Sequence, residues 1–195
     1  MRTSECDLVI VGVGGQGVIL ISDVMGRAAV LAGKSICGAE THGMAQRGGS
    51  VINHTRIGCR FSPLVALGSA DLLVALEPGE ALRFARYLSP EGVALVNTRP
   101  VLPATVTAGL ACYPPIPEIL SAIREHCRRV VDMDATALAS QAGTAQAMNV
   151  VMLGALSSQI PLSEDDLLCS LAQVVPARFL EANKRAFALG KAEVE

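Results

Sequence analysis

Tryptophan is absent from this 195-residue chain and aromatic side chains make up only 3% of it, so the interior has to be built from Val, Leu, Ile, Ala and Met. Small aliphatic side chains of this kind suit a parallel sheet covered closely by helices. An excess of charge is missing too: sixteen basic residues face eighteen acidic ones, with no basic stripe and no aromatic platform, so nucleic acid is not expected as a partner. Arg124, His126, Arg128 and Arg129 do cluster, but at the end of a predicted helix, where cations complement the dipole. No apolar run is long enough to span a bilayer, because Gly, Gln, Asn and charges interrupt each one. The first residues carry Arg2, Glu5 and Asp7 and no apolar leader, which makes the cytoplasm the expected location. Six cysteines, at 6, 37, 59, 112, 127 and 169, form no C-x-x-C. Neither a zinc ribbon nor an iron–sulfur cluster is expected on this chain, and most of the thiols should be buried.

What the chain does have is glycine in a telling place. An apolar run, Leu8 to Val11, leads into Gly12, Gly14, Gly15 and Gly17, and Val18 to Leu31 then reads as a helix. Gly12, Gly14 and Gly17 satisfy G-x-G-x-x-G in the strand–turn–helix setting that gives the motif meaning. The first glycine permits the turn, the second lets backbone N–H groups approach an anion, and the third lets the helix pack on the strand. The helix then offers unpaired N–H donors and a partial positive charge to a diphosphate-like group.

The remainder alternates. Strands are predicted at 34–39, 51–57, 72–76, 93–97, 110–113 and 130–133, with Glu77-Pro78-Gly79-Glu80 opening a helix to about Leu88 and a second helix over 116–127. Gly33 marks the end of the first helix, and Ser89 to Gly92 reads as a turn. From Ala135 onward the pattern is helical: 135–142, 145–158, 164–174 and 177–189, with Ser163 placed as an N-cap. The fold class that follows is α/β: one domain over 1–195, an open, mainly parallel Rossmann-like sheet with helices on both faces and a helical C-terminal part. The helix at 145–158 is apolar all round, which implies either deep burial or a subunit interface, and Gln146 and Asn149 are its polar exceptions.

The loop from Glu40 to Ser50, ETHGMAQRGGS, follows the second strand on the carboxyl edge, where ligands of open α/β sheets bind. Arg47, between Gln46 and the pair Gly48-Gly49, is a donor fork suited to phosphate or carboxylate. Glu40 ends its strand as a ribose-binding acid would, yet it lies 28 residues beyond Gly12 instead of about 20. His42 and His54 have no Ser, Cys or carboxylate at a spacing that demands a triad, so no catalytic residue is expected here.

Three strings, GVGGQG at 12–17, ETHGMAQRGGSV at 40–51 and HTRIG at 54–58, together resemble the gamma-type domain of the 2-oxoacid:ferredoxin oxidoreductases. The resemblance continues through ADLLVALEPGEALR at 70–83, NVVMLGAL at 149–156 and EANKRAFALG at 181–190, and so covers nearly the whole chain. A free-standing chain of this length is most similar to the branch acting on indolepyruvate and other aryl pyruvates. The resemblance implies oxidative decarboxylation of a 2-oxoacid with coenzyme A, giving acyl-CoA, carbon dioxide and reduced ferredoxin. It further implies a large partner subunit that carries thiamine diphosphate and the iron–sulfur clusters, with ferredoxin met through the complex. This chain, binding no cofactor covalently and no metal, would help form the coenzyme A side of the active site. The residues assigned to ligand contact are Gly12, Gly14, Gly15, Gln16, Gly17, His42, Gln46, Arg47, Gly48 and Gly49, with His54 also placed beside the crevice. Two other readings stay open at this stage: an autonomous Rossmann-like NAD(P)-binding oxidoreductase, and an assembly subunit whose glycine loop is empty.

Overall fold

A computed structural model describes residues 4–42, 48–59 and 61–194, with the backbone alone at His42. Strand β1 (Cys6–Val13) is apolar on both faces: Leu8, Val9, Ile10 and Val11 are all fully buried, as a strand at the heart of a two-sided sheet requires. Around it lie β2 (Ile36–His42), β3 (Ser50–Ile57), β4 (Ala70–Ala75), β5 (Leu88–Asn97) and β6 (Arg129–Met133), in the spatial order β2-β3-β1-β4-β5-β6. β1, β4, β5 and β6 run parallel. β3 is antiparallel to both β1 and β2, so it is the strand that makes the sheet mixed, and β2 runs in the direction of β1.

One face of the sheet is covered by α1 (Val18–Leu31), α5 (Ala135–Ala142), α6 (Met148–Ser157), α7 (Glu164–Val174) and α8 (Ala177–Ala192), which share a core with Leu8 and Ile10. The other face carries α2 (Pro78–Phe84), a 3-10 turn over Ala85–Tyr87 and α4 (Ile116–Arg124), packed on Val9 and Val11. A strap following β3 inserts Val65 into this second core. The chain ends of the helices match their sequence signals. Gly33, at φ +64°, closes α1 while the N–H of Lys34 bonds to the carbonyl of Ala29, and Ser163 caps α7 by accepting from the Asp166 N–H at 3.1 Å. All ten residues of α6 are buried, so its two-sided apolarity reflects depth in the core and gives no support to an interface there.

Three expectations need correction. Residues 110–113 form no strand: Leu110 is 80% exposed, and the stretch between β5 and α4 is irregular apart from the four-residue helix α3 (Ala104–Thr107). The Leu110 N–H is taken up by the Thr105 carbonyl at 2.8 Å, and Pro114 and Pro115, which lack N–H groups, stop a ladder from continuing past Tyr113. Residues 89–92 belong to the extended β5 instead of a turn, because Leu88 already pairs with Ala70 and a register shift absorbs the irregularity. The cysteines are also less buried than expected. Cys37 and Cys59 form a disulfide, with Cα atoms 6.3 Å apart, Cys112 and Cys169 are exposed, Cys127 is half-buried, and Cys6 alone among the described free thiols is buried. The β2–β3 register places Cys37 opposite Arg56, and the turn at Gly58 brings Cys59 back towards it. No helix among the described residues is long and apolar enough to cross a membrane.

Candidate functional site

In an open α/β sheet the ligand crevice lies outside the carboxyl ends of the strands where the chain's crossovers diverge. Here the path leaves β1 towards β2 and β3 on one side, and leaves β4 towards β5 on the other. The crevice is therefore framed by the glycine turn after β1, the residues entering β3, and the segment after β4.

The glycines divide the work differently from the simple motif. A Cβ on Gly12 would lie 2.9 Å from Gln16 Oε1 and 3.1 Å from both Leu76 Cβ and Val18 Cγ2, so this glycine provides the close strand–helix packing. Gly17, at φ +83°, caps α1, and a Cβ there would come within 2.1 Å of Asn149 Nδ2. Asn149 is itself buried and donates to the Gly17 carbonyl at 3.4 Å, which ties α6 to the turn. Gly15, at φ +102°, has open space where its side chain would be. No side chain caps α1 and its first turn holds no acid, so the positive end of the helix dipole is left without an internal counter-charge.

Four of the assigned residues are engaged within the chain. The Gly14 N–H donates to the Gly49 carbonyl at 2.8 Å, and the Gly48 N–H reaches the Gly14 carbonyl at 3.5 Å. The two glycine loops thus meet, as their shared edge requires, but Gly14 does not direct a free donor at a ligand. Gln16 uses its amide to hold the turn: Oε1 accepts from the Val13 N–H at 2.7 Å and Nε2 donates to the Leu76 carbonyl at 3.0 Å. Among the described residues no acceptor is bonded to the N–H groups of Gly15 and Gly17. His42 ends β2 opposite Val51. Gln46 and Arg47 lie outside the described residues.

His54 is placed away from the crevice. It sits in mid-strand opposite Val9, buried, with Nδ1 accepting from the Val65 N–H at 3.3 Å and its ring edge-on to Tyr87 at 5.3 Å. Burial lowers its pKa and keeps the imidazole neutral.

The groups that sequence reasoning missed lie after β4. Glu77 is 2% exposed and is the N-cap of α2. Its Oε2 accepts from the Glu80 N–H at 2.8 Å, while Oε1 accepts from the Tyr113 hydroxyl at 2.5 Å and the Val101 N–H at 3.3 Å. Burial, and then the bond to Glu77, hold the Tyr113 hydroxyl far above its ordinary pKa. Glu80, also buried, accepts from the Ser50 hydroxyl and pairs with Arg83 Nε at 3.2 Å. These residues line a cavity of about 740 Å³, together with Val13, Gly48 and apolar side chains of the segment 101–114. The available signal was an acid on either side of Pro78-Gly79 immediately after a buried strand, on the edge where ligands bind. Among the described residues no group of three or more His, Cys, Asp or Glu side chains gathers as a metal site would require.

This chain belongs to the pyruvate ferredoxin/flavodoxin oxidoreductase family, whose model matches residues 7–193. It is 41% identical over 186 residues to the indolepyruvate oxidoreductase subunit IorB of Archaeoglobus fulgidus, with 94% of this chain and 92% of that protein covered. Its fold is that of the gamma subunit of a keto/oxoacid ferredoxin oxidoreductase from Geobacter sulfurreducens, at a TM-score of 0.71 and 24% identity over 97% of this chain and 98% of that one. It also matches the 2-oxoglutarate:ferredoxin oxidoreductase of Magnetococcus marinus, solved with 2-oxoglutarate, coenzyme A and succinyl-CoA bound, at a TM-score of 0.76 and 20% identity. There 98% of this chain corresponds to 31% of a longer one. The protein is a gamma-type subunit of a heteromeric 2-oxoacid:ferredoxin oxidoreductase.

Proposed function

We propose that this subunit serves an enzyme acting on indolepyruvate and related aryl pyruvates, and that its crevice receives coenzyme A. The overall conversion is 2-oxoacid, coenzyme A and oxidised ferredoxin to acyl-CoA, carbon dioxide and reduced ferredoxin. The 41% identity, over 94% of this chain, to an indolepyruvate oxidoreductase subunit is the observation that carries the substrate class. Thiamine diphosphate and iron–sulfur clusters, held on this reading by the large partner subunit, would supply the decarboxylation and the electron path.

The crevice suits coenzyme A by division of charge. An anionic phosphate is drawn to the Gly15 and Gly17 N–H groups and the uncapped end of α1. The cavity beside them presents the carboxylate of Glu77, which disfavours phosphate and carboxylate, and the Glu80–Arg83 ion pair, which adds no net charge. An uncharged, amide-bearing arm with apolar stretches fits that wall, so the phosphates stay at the helix end while the pantetheine arm occupies the cavity. On this reading Arg47 and Gln46, which directly precede Gly48 in the sequence, are a second clamp on the phosphates.

The NAD(P) reading loses its main support in the sheet order. β3 stands between β1 and β2, which puts Glu40 two strands, roughly 10 Å, from β1. The test is an anaerobic assay of the assembled enzyme, with ferredoxin reduction followed against indolepyruvate and coenzyme A. Arg47→Ala should raise the apparent KM for coenzyme A with kcat little changed. An unchanged KM would sink the clamp, and ferredoxin reduction that ignores indolepyruvate would sink the substrate assignment.

A further inference from the structure

Between Arg99 and Glu118 the chain carries no charged residue at all, over a stretch with the sequence PVLPATVTAGLACYPPIP. A solvated loop normally holds charge, yet this one stands almost wholly outside the body of the molecule. From Arg99 to Cys112 every residue is exposed except the half-buried Val106, and α3 within it buries none of its residues. Leu110 is 80% exposed, Leu102 52% and Val101 41%. An uncharged projection with its large apolar side chains outward has the composition of an interface core, where charged residues are depleted.

The projection is held in a fixed place. Both of its ends bond to one carboxylate, since Glu77 accepts from the Val101 N–H and from the Tyr113 hydroxyl. Val101, Leu102 and residues 103–106 line the cavity after β4, whereas 107–110, ending in the 80% exposed Leu110, are exposed and do not line it. A body seated on 107–110 therefore lies against the wall of the crevice.

We infer that the uncharged lobe 100–117 is the docking arm for the large subunit of the oxidoreductase. The inference rests on the functional reading above, and the position of the lobe supplies the choice of occupant: the subunit that holds the chemistry has to abut the crevice, and the lobe is the crevice's outward wall. Docking there buries the apolar tips and completes the cavity in one step.

The experiment mixes the purified large subunit with this chain, either wild type or carrying Leu110→Asp or Ala108→Lys, two positions outside the cavity lining, and follows assembly by size-exclusion chromatography with mass measurement. Thermal unfolding of each isolated chain is recorded alongside. Both positions are exposed, so the unfolding temperature should hold, while association should weaken on the order of 30-fold or more, the loss typical of an interface hot spot. Assembly equal to wild type overturns the inference. So does a wild-type chain that dimerises alone and is split by Leu110→Asp, which makes a second copy the occupant. Unchanged assembly with a raised KM for coenzyme A also overturns it, because the lobe is then only a ligand wall. If the wild-type chain takes up no large subunit at all, the functional reading fails first and the docking arm falls with it.

Discussion

At His54 one hydrogen bond and its burial decide what the side chain can do. Its Nδ1 is occupied as an acceptor for the Val65 N–H, so protonating it would break that bond and bury a charge beside Tyr87. Its folded pKa is lowered below the ordinary 6.5, which means the unfolded chain takes up the proton first as the pH falls. The stability it contributes is complete above 6.5 and is lost as the pH drops through the window down to the folded value. Urea unfolding at about pH 7.5 and about pH 5 should show a larger loss in the wild type than in His54→Gln, which keeps an acceptor for Val65 but does not titrate. Equal losses would remove His54 from the account. Gly17 answers to sterics instead. Gly17→Ala has to place a Cβ at φ +83° and within 2.1 Å of Asn149 Nδ2, so urea unfolding should register a loss of about 1–3 kcal/mol or more.

At the scale of elements, two contacts hold parts of the fold that propensity alone would leave loose. α6 and α8 cross backbone to backbone: a Cβ on Gly154 would meet the Phe187 carbonyl oxygen at 2.0 Å, and one on Gly190 the Val151 oxygen at 1.8 Å. Either glycine replaced by Ala must force the helices apart, at a cost of about 3 kcal/mol or more, read from the urea midpoint. The disulfide between Cys37 and Cys59 staples the open end of the β2–β3 pair across 22 residues. Cys59→Ser should cost about 2–4 kcal/mol, and the denatured, unreduced wild type should show four free thiols. Neither contact was legible in the sequence, because each depends on which segments meet. By contrast, helices 18–31 and 164–174 were legible to the residue, since their caps and apolar spacing are local signals. The direction of β3 was not, because an alternating strand reads the same whichever way it runs. The apparent strand at 110–113 failed for a related reason: a short apolar run signals burial, and in the isolated chain this one is turned outward.

Across the whole molecule the sheet edge and the projecting lobe are joined through one carboxylate, and this is the part of the site that composition could not reveal. Glu77 was visible as the start of a helix, but two of its partners lie 24 and 36 residues further along the chain. Three donors converge on it: the Glu80 and Val101 N–H groups and the Tyr113 hydroxyl. A carboxylate has acceptor capacity for all of them, whereas the amide in Glu77→Gln offers one oxygen and turns its own donors on the rest. At least one bond is then lost in a buried setting, at about 1–3 kcal/mol. The loss should appear first where the lobe is tied, leaving the core of β1, β4 and β5 intact. Trypsin would not report it, because no Lys or Arg lies between Arg99 and Arg124. Thermolysin, which cuts before apolar residues, should cleave Glu77→Gln within 100–112 several-fold faster than wild type, while far-ultraviolet circular dichroism stays unchanged. Equal cleavage rates would mean that the lobe is positioned by its prolines and that the carboxylate merely caps α2.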